Sequence, residues 1–345
     1  MLNNNSEKKI PIISICIPTF NRCDKVYKLV NDILLYPGKE IEVIVLDNCS
    51  TDETKKILSK IIDSRFSFIQ NEENIGGVLN LLKSISMGSG KFSFLCLDKD
   101  YLDYRAINKL LYNINLDPEV VFGHCKLNTK EEGQDVIYDK GFDSVINMAF
   151  LSRHPTGMFY KTSEYKNLDL LKNIFIEKKQ FPFYSDIING EMAMRGKSRF
   201  INLPSFYSET KEEARKKPSF TYNKNNLYFS PQKRRIEFDT YLEYAGKLKL
   251  SNYEFYKLIL RLYNQELTLS TFVYKYMMSD NDVCGHHNIA LEKISIFEIL
   301  KINLKFSSHF ISRNIAVNIL QKILIVIFCD IKFLIKLILY LFKRI

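Results

Sequence analysis

Two aspartates separated by one residue, Asp98 and Asp100, follow the largely apolar run FSFLCL at residues 92–97. Because alternate residues of an extended segment point to the same side, we expect the two carboxylates to share a face. Their mutual repulsion then calls for a compensating cation. A hard divalent ion such as Mn²⁺ or Mg²⁺ takes carboxylate oxygens as ligands and can bridge a diphosphate at the same time. The pair therefore predicts a metal site, and an exposed Asp-Lys-Asp turn is the alternative interpretation.

Three further polar segments follow apolar runs in the first part of the chain: PTFNR at residues 18–22, DNCSTD at 47–52 and NEENIGG at 71–77, the last leading to Asn80. In open α/β sheets, ligands bind beyond the carboxyl ends of the strands. We therefore expect these segments to line one cleft together with residues 98–100. An aspartate after a strand is also a common turn or cap residue. No Gly-x-Gly-x-x-Gly motif follows the first apolar run and no P-loop motif is present, so neither a dinucleotide site nor a P-loop is predicted.

Apolar, β-branched runs predict the strands that position these residues, at residues 10–18, 40–46, 66–70 and 91–97. Helical stripes lie between them at residues 21–35 and 78–87, and Ser50 with Glu53 has the spacing of a capping box at the start of another helix. This alternation predicts an α/β fold with a mostly parallel sheet. Later segments predict strands at residues 122–128 and 199–203, a helix at 187–194, and helices over 234–278 and 289–345.

The charge of the 345-residue chain is unevenly distributed. Residues 211–345 carry 22 Lys and Arg against 12 Asp and Glu, whereas the first 210 residues carry 27 of each. A charged run at residues 211–217 followed by Pro218 predicts a boundary between a domain at residues 1–215 and a helical region at residues 216–345. Because the first part is neutral, the composition argues against a protein that coats nucleic acid, and we expect no nucleic-acid partner.

Cysteine usage and the N-terminal segment bear on the compartment. The seven cysteines are scattered, without a Cys-x-x-Cys pair, so we expect neither a disulfide framework nor a zinc knuckle. This pattern predicts a reducing compartment. The N-terminal segment is polar before Ile10, and its short apolar run contains Pro11 and Pro18. A secretory signal has a longer apolar core, so we expect a cytoplasmic protein.

The four polar segments, taken in order and ending in GSGKFSFLCLDKD, resemble the motifs of the inverting GT-A glycosyltransferases of family 2, which are common in bacterial capsule and lipopolysaccharide assembly. The resemblance covers roughly residues 10–200 and implies that residues 1–215 form the nucleotide-sugar-binding and catalytic domain. It implies that the residue pair at 98 and 100 is the DxD signature, whose second member holds Mn²⁺ or Mg²⁺. A UDP-sugar is the favoured donor. The predicted donor-binding residues are Pro18, Thr19, Asn21, Arg22, Asp47, Asn74, Asn80 and Asp98.

Two later segments complete the resemblance. HPTGMFYK at residues 154–161 is similar to the family's segment on the acceptor side of the cleft. Tyr184-Ser-Asp186, followed by a glycine at position 196, is similar to the family's acidic motif, with Ser185 in place of the usual first acid. Asp186 is therefore the candidate base and Glu191 the second candidate.

Two points about these segments stay open. Asp186 could instead be the N-cap of the following helix. The family often has a later histidine near the metal, but none occurs between His154 and His286, which leaves a third protein ligand undecided.

A carboxylate base without an enzyme nucleophile implies a single displacement with inversion at the sugar carbon. The expected enzyme is a hexosyl- or N-acetylhexosaminyltransferase acting on a hydroxyl of a bacterial surface glycan, expected to be lipid-linked. A sugar-phosphate nucleotidyltransferase is a weaker alternative, because PTFNR lacks the Gly-rich loop with Arg and Lys that such enzymes carry after the first strand. A non-catalytic glycan-binding or partner protein with the same fold is the alternative from another class.

The segment at residues 315–345 is rich in Ile, Leu and Phe but interrupted by four charges, Lys322, Asp330, Lys332 and Lys336. These charges argue against a membrane-spanning helix. On a helical wheel they gather on one half, opposite Leu324, Ile327, Phe328, Ile331, Leu334, Ile335 and Ile338. Such a basic amphipathic helix predicts a peripheral position on an anionic membrane, at the inner face of the cell membrane. Packing on the catalytic domain or in a homo-oligomer is the alternative.

Overall fold

The predicted alternation of strands and helices is present in the computed structural model, which describes residues 10–129, 134–178, 180–204, 206–208, 210 and 227–342. The chain divides into an N-terminal unit, residues 1–209, and a C-terminal unit, residues 210–345. The predicted boundary at residues 215 and 216 and the polar segment before Ile10 lie outside the described residues.

The strands of the N-terminal unit are β1 (Ile13–Thr19), β2 (Ile41–Asp47), β3 (Phe66–Gln70), β4 (Phe92–Leu95), β5 (Tyr101–Leu102), β6 (Val120–Thr129), β7 (Val136–Tyr138), β8 (Met158–Lys161), β9 (Lys197–Pro204) and β10 (Phe206–Tyr207). Its helices are α1 (Cys23–Leu34), α2 (Thr54–Leu58), α3 (Gly77–Ser86), α4 (Tyr104–Asn115), α5 (Phe142–Met148), α6 (Thr162–Lys166), α7 (Asp169–Glu177) and α8 (Tyr184–Ala193).

Eight of these strands form one sheet in the order β3-β2-β1-β4-β8-β6-β9-β7. The first four in this order run parallel, β8 is antiparallel to both β4 and β6, and β6 and β9 run parallel. Every residue of β1 is buried, as the apolar pattern of a central strand with both faces covered requires. The sequence prediction of an α/β fold with a mostly parallel sheet is confirmed.

Two local predictions were wrong. The strand expected to run to residue 97 ends at Leu95, and a backbone hydrogen bond from Asp100 to Leu97 closes a turn there. The capping box expected at Ser50 and Glu53 does not form, because the Ser50 hydroxyl bonds to Asp47 and helix α2 begins only at Thr54. At the end of β4 the backbone turns where an extended strand was expected. At Ser50 the hydrogen bond to Asp47 uses the hydroxyl that a capping box would need.

The C-terminal unit is helical, as predicted. Its described helices are α9 (Pro231–Ala245), α10 (Asn252–Thr268), α11 (Tyr274–Ser279), α12 (Asn281–His286), α13 (Ile296–Ser312) and α14 (Ile319–Phe342), with a π-helical turn at Leu269–Val273. Helices α10 and α13 each begin with a serine–glutamate capping box. Phe238, Tyr263, Phe306 and Phe310 form an aromatic cluster between α9, α10 and α13.

Helix α14 has one face inside the C-terminal unit and one in solvent. Ile325, Cys329 and Phe333 are at most 3 % exposed on its inner face, where the ammonium group of Lys322 also donates to backbone carbonyls. The seven apolar residues of the predicted stripe are all 47–53 % exposed. The apolar stripe of the predicted amphipathic helix therefore lies on the solvent-exposed face of α14. None of the described helices is both long and apolar enough to cross a membrane.

Candidate active site

The carboxylate of Asp98 is held by residues that follow β1. The Thr19 hydroxyl donates to its Oδ2 at 2.8 Å and the Arg22 guanidinium donates to its Oδ1 at 2.8 Å. Burial raises the pKa of Asp98 above its usual value, although the charge of Arg22 and the hydrogen bond from Thr19 oppose that rise. Both oxygens of Asp98 are thus engaged, and one of them is in an ion pair.

Asp100 has a different set of partners. Its Oδ2 lies 2.8 Å from Nε2 of His154 and accepts a hydrogen bond from the Thr156 hydroxyl. Burial alone raises the pKa of this carboxyl, but the hydrogen bonds and charge of His154 and the hydroxyl of Thr156 outweigh it, so the pKa lies below its usual value. The two carboxylates therefore have different partners, because residues after β1 hold Asp98 and residues before β8 hold Asp100.

Sheet topology explains why His154 reaches Asp100. Strand β8 runs antiparallel to β4, with Phe159 opposite Phe94, so the segment before β8 lies beside the segment after β4. His154 and Thr156, both in the segment before β8, bond to the same oxygen of Asp100. Sequence reasoning assigned HPTG to the acceptor side and missed this contact, because the contact depends on β8 running antiparallel beside β4.

We call residues 149–157 the α5–β8 loop. It contains Phe150 and Ser152 in the left-handed region, at φ +55° and +51°, and Gly157 at φ +95°. A Cβ at Gly157 would lie 2.5 Å from the carbonyl oxygen of Cys125, so the close approach requires glycine. The backbone N–H of Gly157 donates to the carbonyl of Leu95 at 2.8 Å, which ties the loop to the end of β4. The loop therefore has a fixed path past the DxD turn.

The carboxylate of Asp186 lies at the other end of this loop. Asp186 is 1 % exposed in the first turn of α8, and its Oδ1 accepts a hydrogen bond from the backbone N–H of Leu151 at 3.3 Å. The N-cap position of α8 is occupied by Phe183, so the interpretation of Asp186 as a helix N-cap is wrong. Burial lowers the pKa of Arg153, and the nearby charge of Asp186 opposes that shift. One short loop thus contacts both Asp100 and Asp186.

Glu191 lies elsewhere on α8. Its carboxylate pairs with Arg195 at 3.1 Å, and Arg195 pairs in turn with Glu164 of α6 at 3.3 Å. Five residues along a helix correspond to a rotation of about 140°, so Glu191 and Asp186 face different directions. The structure does not bring Glu191 into contact with the strand-end residues named above.

Asp47 and Asn21 link the segments after β2 and β1. Asp47 is fully buried, and its Oδ2 accepts from the Ser50 backbone N–H at 3.1 Å and from the Gln70 amide at 2.8 Å. Asn21, at φ +52°, donates its backbone N–H to the Ser50 hydroxyl and accepts from the backbone N–H of Thr51. Pro18 pairs with Leu46 within the sheet, next to these residues. These contacts fix the ends of two neighbouring strands against each other.

Asn74 and Asn80 belong to a network of amides, in which Asn80 is buried and Asn74 is exposed. Asn71 donates to Asn80 at 2.8 Å, Asn48 donates to Asn74 at 2.8 Å, and Asn80 donates to the backbone carbonyl of Leu46 at 3.2 Å. Each of these amides is therefore engaged in holding the segment after β3 against the end of β2. The structure brings the residues predicted for donor binding to one edge of the sheet, with Asn74 and Asn80 inside this network.

Within the part of the chain that the structure describes, no three His, Cys, Asp or Glu side chains are grouped so as to hold a metal ion together. Asp100 with His154 is a pair of one carboxylate and one imidazole.

The comparisons with known proteins agree with this geometry. Residues 14–175, a little under half of the chain, match the model of glycosyl transferase family 2, so this part of the chain is similar to that family's domain. The match runs in chain order from β1 to α7 and includes the DxD turn and the α5–β8 loop.

Two relatives show what the chain is similar to. The GalNAc(5)-diNAcBac-PP-undecaprenol β-1,3-glucosyltransferase of Campylobacter jejuni is 28% identical over 178 residues, 50% of this chain and 55% of that protein. The UDP-Glc:α-D-GlcNAc-diphosphoundecaprenol β-1,3-glucosyltransferase WfaP of Escherichia coli is 33% identical over 112 residues, 32% of this chain and 43% of that protein. The chain thus spans about half the length of these relatives.

Among solved structures, S. aureus TarS 1–349 has a TM-score of 0.54 at 16% identity, covering 86% of this chain and 80% of that one. The same protein in complex with UDP-GlcNAc gives 0.54 at 17% identity. At this identity the likeness is one of fold, and it confirms the GT-A architecture.

Proposed function

We propose that this protein is an inverting glycosyltransferase that moves a sugar from a nucleotide-sugar donor, a UDP-sugar in the favoured case, to a hydroxyl of a lipid-linked bacterial glycan. The observation that carries the proposal is the α5–β8 loop, which contacts the DxD carboxylate Asp100 at one end and the buried carboxylate Asp186 at the other. A transferase needs a diphosphate site and a base on opposite sides of one sugar carbon, and a single fixed loop can set that spacing.

The donor half of the site uses the strand ends. Asp47 and Thr19 line the base and ribose side, and Arg22 supplies a positive charge next to Asp98. The hydrogen bonds that already hold these groups preorganise them, so that binding the nucleotide requires little rearrangement. The name of WfaP specifies UDP-Glc as its donor, which supports a UDP-sugar here.

A divalent cation fits the donor chemistry at Asp100. Asp98 is paired with the guanidinium of Arg22, whereas Asp100 lies next to an imidazole and a hydroxyl, so Asp100 suits the role of metal ligand better than Asp98 does. When bound, Mn²⁺ or Mg²⁺ neutralises the charge that develops on the departing diphosphate.

Asp186 is the proposed base. It is buried, its carboxylate is oriented by the backbone N–H of Leu151, and it can accept the proton that the acceptor hydroxyl loses during attack. Glu191 is held by Arg195 on another face of α8, which favours Asp186 over Glu191. With Asp186 as base and no nucleophile supplied by the enzyme, the proposed reaction is a single displacement with inversion.

The names of the two relatives specify acceptors linked to undecaprenol through a diphosphate, which supports a lipid-linked acceptor and a position at the membrane. The outer face of α14 fits that position. Its apolar stripe is half-exposed, exposed Lys332 and Lys336 border it, and Asp330 is the one acidic residue of the helix's described part. An exposed apolar surface of this kind with basic neighbours suits an anionic lipid surface.

The proposed activity is tested with a panel of UDP-, GDP-, CMP- and dTDP-sugars, read by release of the nucleotide with and without Mn²⁺. We expect one donor to be cleaved faster than the others and cleavage to accelerate with an undecaprenyl-diphosphate-linked glycan. The product's anomeric configuration should be opposite to that of the donor. A non-catalytic partner protein would release no nucleotide from any donor, and a nucleotidyltransferase would release inorganic diphosphate from a nucleoside triphosphate and a sugar phosphate.

Membrane association is tested by co-sedimentation with vesicles of phosphatidylglycerol or phosphatidylcholine at two salt concentrations. We expect binding to phosphatidylglycerol that weakens with salt but persists, because the apolar contribution is not screened. Ile331→Gln with Ile335→Gln should release the protein, whereas Ile62→Gln with Ile176→Gln, two exposed isoleucines of the N-terminal unit, should not. If the wild type ignores vesicles and the α14 variant converts a dimer to a monomer in light scattering, the face is an oligomer interface.

A further inference from the structure

We propose that His154 is a ligand of the divalent cation, together with Asp100, in a site with two protein ligands completed by the donor diphosphate. The inference rests on the proposed function. Its starting observation is the 2.8 Å separation between Nε2 of His154 and Oδ2 of Asp100. Two donor atoms this close can both reach one ion once the hydrogen bond between them gives way, because metal–nitrogen and metal–oxygen bonds are about 2.0–2.2 Å long.

Asp100 differs from two other carboxylates, Asp98 and Asp239, in the kind of basic group that pairs with it. Asp98 is paired with Arg22 at 2.8 Å, and Asp239 of the C-terminal unit is paired with both His309 at 2.9 Å and Arg313 at 3.2 Å. A guanidinium is always charged and cannot become a ligand. Asp100 is instead paired with an imidazole and a hydroxyl, and a neutral imidazole offers a lone pair to a metal.

The surroundings of His154 hold it in place. Its carbonyl accepts a hydrogen bond from Nε2 of the buried His124 at 3.1 Å. Two residues on, the Thr156 hydroxyl donates to Asp100 and lies 3.1 Å from the backbone N–H of Leu97. Such anchoring restricts the side chain in the way that outer contacts restrict metal-ligating histidines.

Exposure also fits the role. The side chain of Asp100 is fully buried, whereas that of His154 is 36% exposed. His154 therefore covers the buried carboxylate on its solvent side, where a diphosphate and its cation would arrive. Because an imidazole nitrogen suits Mn²⁺ better than Mg²⁺, which prefers oxygen ligands only, the site should favour Mn²⁺.

The experiment is pulsed electron paramagnetic resonance of Mn²⁺ bound to the full-length protein in the presence of UDP, with UDP binding measured separately by calorimetry. We expect nitrogen modulation from one histidine in the wild type and its loss in His154→Gln. We also expect His154→Gln to weaken Mn²⁺ binding at least about tenfold while Mg²⁺ binding changes less. His309→Gln is the control, because His309 pairs with Asp239, which also pairs with Arg313. We expect this variant to leave both the nitrogen modulation and the Mn²⁺ affinity unchanged.

The outcomes distinguish this inference from the proposed function. If Mn²⁺ binds with UDP but shows no nitrogen modulation, or if His154→Gln binds it as well as the wild type, His154 is only a hydrogen-bond partner of Asp100 and the inference is overturned. If UDP and the other nucleotides do not bind at all, the proposed function itself is wrong and the inference is overturned with it.

Discussion

Asp47, Asp98 and Asp100 are at most 4 % exposed at one edge of the N-terminal unit, whereas seven large apolar side chains on α14 of the C-terminal unit are about half-exposed. Buried charged groups and exposed apolar stripes are both departures from the usual distribution of residues, and each therefore carries information. The buried carboxylates all have hydrogen-bond partners, which makes their burial tolerable and fixes their positions. The exposed apolar stripe is not covered by its own unit, which is typical of a surface that contacts another molecule.

The comparison also separates two kinds of polar residue in the N-terminal unit. The amides after β3 bond to one another, to Asn48 and Lys83 and to the backbone of β2. The carboxylates at and beyond the ends of β2 and β4 lie where ligands of this fold class bind. The following predictions test whether each buried polar residue acts in the reaction or only stabilises the fold. They also test whether the exposed apolar residues contribute to the free energy of unfolding.

The largest effect is expected at the proposed base. Asp186→Asn should reduce transfer about 10²–10⁴-fold because the amide cannot accept the acceptor's proton, while donor binding in calorimetry stays within about twofold. Glu191→Gln, on the same helix, should keep near-wild-type transfer. Should the two variants behave the other way round, Glu191 is the base and Asp186 a structural residue.

A somewhat smaller loss is expected at the DxD turn. Asp100→Asn should lower the transfer rate about 10²–10³-fold and weaken Mn²⁺-dependent UDP binding, because it removes a negative charge from the proposed metal site. Asp103→Asn is the matched control, since Asp103 caps α4 by accepting from the backbone N–H of Arg105 and asparagine caps equally well. Unchanged metal-dependent UDP binding in folded Asp100→Asn would contradict the assignment.

The amide network should affect stability rather than chemistry. Asn80 is 2 % exposed, and Asn80→Ala leaves the Leu46 carbonyl and the Asn71 amide each short of a partner. We expect the free energy of unfolding in urea to fall by about 1–3 kcal/mol. Asn108→Ala, on the exposed face of α4, should change it by less than about 0.5 kcal/mol. Equal effects of the two substitutions would show that the network contributes little.

The smallest effects are expected on α14, where the same change can be made on both faces. Ile325→Val, on the buried face, should lower the free energy of unfolding by about 0.5–1.5 kcal/mol. Ile335→Val, on the outer face, should change it by less than about 0.5 kcal/mol in the absence of lipid. A loss at Ile335 as large as at Ile325 would mean that the outer face is covered in solution.

Sequence patterns alone determined much of this protein. Apolar, β-branched runs predicted the first four strands because a central parallel strand must be apolar on both faces, and β3 was predicted with its observed bounds. The strand-end positions of Asp47, Asp98 and Asp100 followed from the same runs. The periodicity of residues 315–345 predicted an amphipathic helix, because helical geometry places residues three and four apart on one face.

Only the tertiary structure decided which of these groups meet. His154 and Asp100 are 54 residues apart in the chain, and Thr19 and Asp98 are 79 apart. Their contacts depend on the order of strands in the sheet, in which the antiparallel β8 brings the HPTG segment beside the end of β4. The outward direction of the α14 stripe is likewise absent from the sequence pattern. Periodicity defines two faces of a helix, but packing against the other helices decides which of them is buried.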